Sequence, residues 1–135
     1  MRLRFAAVLI LALAGALSIS CGGIVDPSQN RVEGPFTGSL PPGGNIAYMF
    51  SASSTGELQV KLVTLTPAAV PVIGVEWVQQ ANGSCNGNLL QNNQFATPNS
   101  TVITGQIPSG SYCIILYDSI GQSVPANYSF TISHP

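Results

Sequence analysis

Charge is what this chain has least of. Lys and Arg together number 4 and Asp and Glu 5, against 45% apolar residues. Beyond residue 20 the only cations are Arg31 and Lys61. Neutralising phosphates takes a basic patch, and two scattered cations do not make one, so nucleic acid is excluded as a partner. The acids Asp26, Glu33, Glu57, Glu76 and Asp118 are dispersed, which leaves no oxygen cluster for calcium. Histidine occurs once, as His134, so a Ser-His-Asp triad would hang on a chain end prone to fraying. Two thiols and that distant imidazole lack the spacing of a zinc set. No catalytic residue, metal or cofactor is therefore expected. Long apolar runs are missing too. The run from Phe5 to Leu17 falls short of the roughly 20 residues a membrane-spanning helix needs, and polar Ser18, Ser20 and Gly22-Gly23 follow it.

That run is nonetheless informative. Arg2 and Arg4 precede it and small residues follow, the three-part pattern of an export signal. Leu17-Ser18-Ile19-Ser20-Cys21 resembles the bacterial lipobox, although Ser18 stands where leucine is most usual. The resemblance implies a signal peptide at 1–20, its helix removed on export, and a lipid (palmitate-type acyl chains) on Cys21 as a membrane anchor. Gly22 stands where aspartate would favour the inner membrane, which points to the outer membrane or cell surface. The alternative is cleavage after Ala14-Gly15-Ala16, which leaves Leu17 as N-terminus and Cys21 as a plain thiol. Residues 21–34, with Gly, Asp-Pro, Ser, Gln and Asn, read as a flexible tether.

Three cysteines in an exported chain leave one over, and lipidation uses it. Cys85 and Cys113 can then pair in an oxidising compartment, closing a loop whose cross-link stabilises by about 3 to 4 kcal/mol. Two buried free thiols are the alternative. Residues 35–135 suit one domain with a single core. Their period is two: Ile46, Tyr48 and Phe50 oppose Ala47 and Met49, Leu58, Val60 and Leu62 alternate with Glu57, Gln59 and Lys61, and Tyr128, Phe130 and Ile132 alternate with Ser129, Thr131 and Ser133. Further strands are expected at 72–78, 100–107 and 112–118, with a weaker one at 36–40. Ser111 to Tyr117, apolar on both faces, reads as a central strand. Pro41-Pro42-Gly43-Gly44, Ser54-Thr55-Gly56, Asn82-Gly83-Ser84 and Pro108-Ser109-Gly110 are turns. This is an all-β pattern, an antiparallel jelly-roll-like β-sandwich of about seven or eight strands.

The order of these segments resembles the bacterial pre-peptidase C-terminal domain over about Phe36 to Ser133. The resemblance lies in Gly38-Ser39-Leu40 leading to Tyr48-Met49-Phe50, then Gly56-Glu57-Leu58-Gln59-Val60, Ile107-Pro108-Ser109-Gly110-Ser111-Tyr112 with Ile114-Ile115-Leu116-Tyr117, and Asn127-Tyr128-Ser129-Phe130-Thr131-Ile132. It implies a small sandwich of the kind that usually accompanies a catalytic domain in secreted proteins. Some relatives bind collagen or polysaccharide with calcium. The dispersed acids here do not match such a calcium site.

Surface chemistry is confined to a few places. Trp77 is a candidate sugar platform or a core residue, and the stretch 82–94 reads as an exposed loop or irregular edge rich in amides, with Asn82, Asn86, Asn88 and Asn92 as candidate contacts. Glu76 and Asp118 form an acid pair only if their strands bring them together. Asn-x-Ser/Thr triplets begin at Asn82, Asn99 and Asn127, as chance provides in so Asn- and Ser-rich a chain. The expected protein is a lipid-anchored envelope module that binds protein or polysaccharide without catalysis. The alternative is a small envelope hydrolase; it and the glycan reading both gain if Glu76, Trp77 and Asp118 share one cleft and lose if they scatter.

Overall fold

The computed structural model describes residues 29–135, so the expected signal helix, Cys21 and most of the tether lie outside the described residues. Eight strands follow one another: β1 (Arg31–Leu40), β2 (Asn45–Ala52), β3 (Gly56–Thr66), β4 (Ile73–Gln79), β5 (Leu89–Ala96), β6 (Ser100–Ile107), β7 (Gly110–Tyr117) and β8 (Ala126–His134). They pair as nested partners, β1 with β8, β2 with β7, β3 with β6 and β4 with β5, all antiparallel. The chain is thus one long hairpin turning between β4 and β5. Pairing of β3 with β8 and of β4 with β7 rolls it into two sheets, β1-β8-β3-β6 (sheet A) and β2-β7-β4-β5 (sheet B). That is the jelly-roll arrangement.

The alternation read from sequence explains why the sheets face each other. Leu58, Val60, Leu62, Phe130 and Ile132 of sheet A meet Phe50, Val75, Trp77, Tyr112, Ile114 and Leu116 of sheet B in one buried core. Phe36, Tyr48, Tyr128 and Phe130 form an aromatic cluster at its side, with ring centroids 4.9 to 6.4 Å apart. Central β7 is buried on both faces through Cys113, as expected. Cys113 bonds Cys85, 28 residues away, with Cα atoms 5.7 Å apart.

Two expectations need correction, and one open alternative is decided. β1 begins at Arg31 rather than near Phe36, because Arg31, Val32 and Glu33 pair with His134, Ser133 and Ile132. The register shifts between Glu33 and Phe36, where Pro35 has no N–H to give the ladder, and an edge strand tolerates that. Of the loop or irregular edge expected at 82–94, residues 89–94 are the edge, in strand β5, whose bulged pairing to β4 hid its period. Finally, His134 is not frayed. It closes β8 at 2% exposure, with its ring 5.1 Å from that of Phe50.

Candidate functional site

Because side chains alternate, each strand of sheet B sends every second residue away from the core. The outward set comprises Ala47 and Met49 on β2, Gly74, Glu76 and Val78 on β4, Asn92 on β5, and Cys113, Ile115 and Tyr117 on β7. At one end this face is covered: Cys85 reaches over from the β4–β5 connection to Cys113, and Val78 is buried beside it. At the other end the face is open. Phe95 on edge strand β5 is 69% exposed there, whereas exposed Met49 (57%) and Leu89 (55%) lie opposite Cys113 and Val78, beside the covered end.

Tyr117 occupies the open end in an unusual way. A Cβ placed on Gly74 would meet Cζ, Cε1 and Cε2 of the Tyr117 ring together, so the face of the ring, not its edge, covers the Gly74 backbone. Only glycine leaves room for that. The Tyr117 hydroxyl donates to Asn92 Oδ1 at 2.8 Å, and Asn92 Nδ2 donates to Glu76 Oε1 at 3.2 Å. Three neighbouring strands therefore hold one aromatic plane and a line of polar atoms beside it.

The next residue, Asp118, locks this end. Its carboxylate accepts backbone N–H bonds from Gly43 (2.9 Å), Ile120 (3.1 Å), Gly121 (2.8 Å) and Gln122 (2.9 and 3.0 Å). These donors, led by Gly43, hold its carboxyl below the usual carboxylate range, against the opposing effect of burial. Asp118 N–H also donates to Gly44 O at 3.1 Å, and Ser119 Oγ to Gln94 O at 2.6 Å. The β7–β8 loop is thus tied to the β1–β2 turn and to β5.

The residues singled out from sequence scatter. Trp77, the expected platform, is a core residue at 6% exposure, packed 5.8 Å from the Tyr112 ring, because its position on β4 faces inward between Val75 and the second sheet. Glu76 faces outward, and Asp118 spends its carboxylate on backbone amides, so Glu76, Trp77 and Asp118 do not share a cleft, which counts against the hydrolase and against a glycan site built on these three residues. Asn82 sits in the turn closed by Ala81 and Ser84, at φ 51°. Asn86 and Asn88 are exposed, and Asn88 contributes its carbonyl to Gln79 N–H at 2.9 Å. Only Asn92 joins Tyr117. The pairing Gly74↔Tyr117 was invisible without the strand register, since neither residue is distinctive alone.

His134 is closed off from substrate. Its Nδ1 lies 3.1 Å from Pro135 O, and its Nε2 lies 3.2 Å from Glu33 Oε1 but off the line of a hydrogen bond. Among the described residues no group of three or more His, Cys, Asp or Glu is placed to hold a metal ion, and no helix is long and apolar enough to cross a membrane.

No family model matches the chain, and no curated protein does. Among solved structures it is similar to the pre-peptidase C-terminal domain of a collagenase from Bacillus anthracis, at 17% identity over 78% of this chain and 87% of that one, with a TM-score of 0.46. It is also similar to the CBM36-1 domain of a multidomain xylanase from the hindgut metagenome of Trinervitermes trinervoides, at 13% identity over 80% and 92%, with a TM-score of 0.36. Both likenesses concern the fold alone.

Proposed function

We propose that the chain is an exported module anchored through a lipid on Cys21 that works by contact, without catalysis, holding envelope glycan or protein on the outer face of sheet B. The observation that carries this reading is the make-up of that sheet. Across its four strands Glu76 is the sole charged side chain, and exposed apolar and amide groups take the place of the charges a solvated face normally carries. Sheet A supplies the contrast, with Arg31, Glu33, Glu57 and Lys61 in its strands and Ser129, Thr131 and Ser133 outward on β8. The absence of catalysis is argued from the groups that acid/base chemistry would use: the imidazole is buried, and the Asp118 carboxylate is occupied.

The test has two parts. Wild-type protein should fractionate with membranes and Cys21→Ala should be released; a soluble wild-type protein, or a mature N-terminus at Leu17, overturns the anchor. The released Cys21→Ala protein should sediment with envelopes that detergent has stripped of lipid. Adding Met49→Lys should abolish that, and adding Thr131→Lys on the opposite face should not. Equal loss from both, or from neither, overturns the assignment of the face. Hydrolysis of envelope glycan or peptide, abolished by Glu76→Gln or His134→Ala, would establish the hydrolase instead.

A further inference from the structure

We propose that Tyr117 is the stacking platform of a site for neutral glycan built from equatorially substituted pyranose rings, such as β-linked glucose or N-acetylglucosamine, with Asn92 and Glu76 orienting the sugar. The inference rests on the contact reading above and narrows it to one ligand chemistry. A pyranose with equatorial substituents has two flat faces that carry only C–H groups. These faces suit the electron-rich face of an aromatic ring, provided the ring itself lies flat and open. Gly74 permits that here, since any side chain in its place would displace the Tyr117 ring from the sheet.

The hydroxyls at the rim of such a sugar need both donors and acceptors. Asn92 Nδ2 retains a second N–H after its bond to Glu76, Glu76 retains its second carboxylate oxygen, and the Tyr117 oxygen can still accept. The arrangement is also set in advance. Tyr117 is pinned through its hydroxyl, and the backbone beyond it is fixed by the Asp118 bracket, so little side-chain freedom is lost on binding.

Charge selects among ligands. Sheet B has no Lys or Arg in its strands to meet a sulfate, phosphate or uronate, and the Glu76 carboxylate repels them. An apolar protein segment fits worse than a sugar, because covering Tyr117 would strip water from Asn92 and Glu76 without replacing their hydrogen bonds.

The experiment titrates the full chain in detergent with chitotetraose and cellotetraose, read by calorimetry and by the amide and ring resonances of Gly74, Ile115 and Tyr117. At least one of the two should bind and move those resonances. Tyr117→Ala should weaken binding by about tenfold or more, Gly74→Ala should do the same with the tyrosine still present, and Asn92→Ala or Glu76→Ala should weaken it roughly threefold to tenfold. The last two substitutions are on the surface and keep the fold testable if the first two do not. Absence of binding by both sugars overturns the inference. So does binding that moves resonances elsewhere, or that is unchanged in Asn92→Ala and Glu76→Ala. If the sugars fail while the protein still sediments with envelopes, the ligand class alone falls; if sedimentation also fails, the contact reading falls with it.

Discussion

Phe130 and Thr131 are neighbours in the chain and differ completely in consequence. Phe130 is fully buried among Phe36, Tyr48 and Tyr128, and Thr131 faces outward on the same strand. Phe130→Ala should therefore cost about 3 to 5 kcal/mol in chemical denaturation, against no more than about 0.5 kcal/mol for Thr131→Ala. Asp118 acts differently, through backbone donors. Asn in its place keeps one acceptor oxygen but loses the charge that strengthens those bonds. Asp118→Asn should lower the melting temperature by several degrees at neutral pH, and the gap from wild type should shrink at low pH, where the wild-type carboxyl is itself protonated. Which residues face the core was legible from period two alone. Trp77 and Tyr117 were not sorted so easily, because a lone aromatic has no period and its exposure depends on the strand beside it.

At the scale of elements, β5 shows where sequence patterning stops. Its register against β4 shifts between Ile73 and Val75 and again between Trp77 and Val78, so alternation is broken twice in one short strand. Asn93, opposite inward-facing Val75, turns its amide to Val102 O at 2.9 Å, so a polar side chain occupies an inward position. The β4–β5 connection is held mainly by the Cys85–Cys113 bond together with Gln80, whose N–H donates to Ser111 O and whose Nε2 donates to Tyr112 O, both at 3.0 Å. Reducing the bond, or replacing both cysteines by Ser, should lower unfolding free energy by about 2 to 4 kcal/mol while the sandwich persists, as judged by urea titration and far-ultraviolet dichroism. The pairing itself followed from compartment and cysteine count. That the loop would cover one end of the sheet B face followed only from where Cys113 points.

For the molecule as a whole, two titrating groups should bound the pH range of stability. The Asp118 carboxyl is lowered on folding, so its contribution is present above about pH 4, the unfolded value, and lost as pH falls through the folded one. The Tyr128 phenol is raised well above its usual range, first by burial and then by its 2.6 Å hydrogen bond to the Tyr48 hydroxyl. Its contribution is present below about pH 10 and lost as pH rises beyond that. Burial raises Tyr112 as well. Stability should thus fall as pH drops through the Asp118 range and as it rises past the tyrosine range, with alkaline unfolding tracked by tyrosinate absorbance. Tyr128 and Tyr112 should ionise only as the fold opens.

The sequence by itself determined the all-β class, most strand positions, the core faces and the two cysteines left to pair, because each depends on local period, turn chemistry or count. The anchor on Cys21 is a proposal from the same kind of reading, with Cys21 outside the described residues. Tertiary structure alone decided that half-buried Tyr117 lies on the outer face of sheet B over Gly74 while Trp77 is in the core, that Asp118 is a structural bracket, and that His134 is shut inside. Those outcomes depend on which strand lies beside which, and at what register. Gly74 and Tyr117 are 43 residues apart in number but opposite each other on adjacent strands, a distance that no local pattern spans.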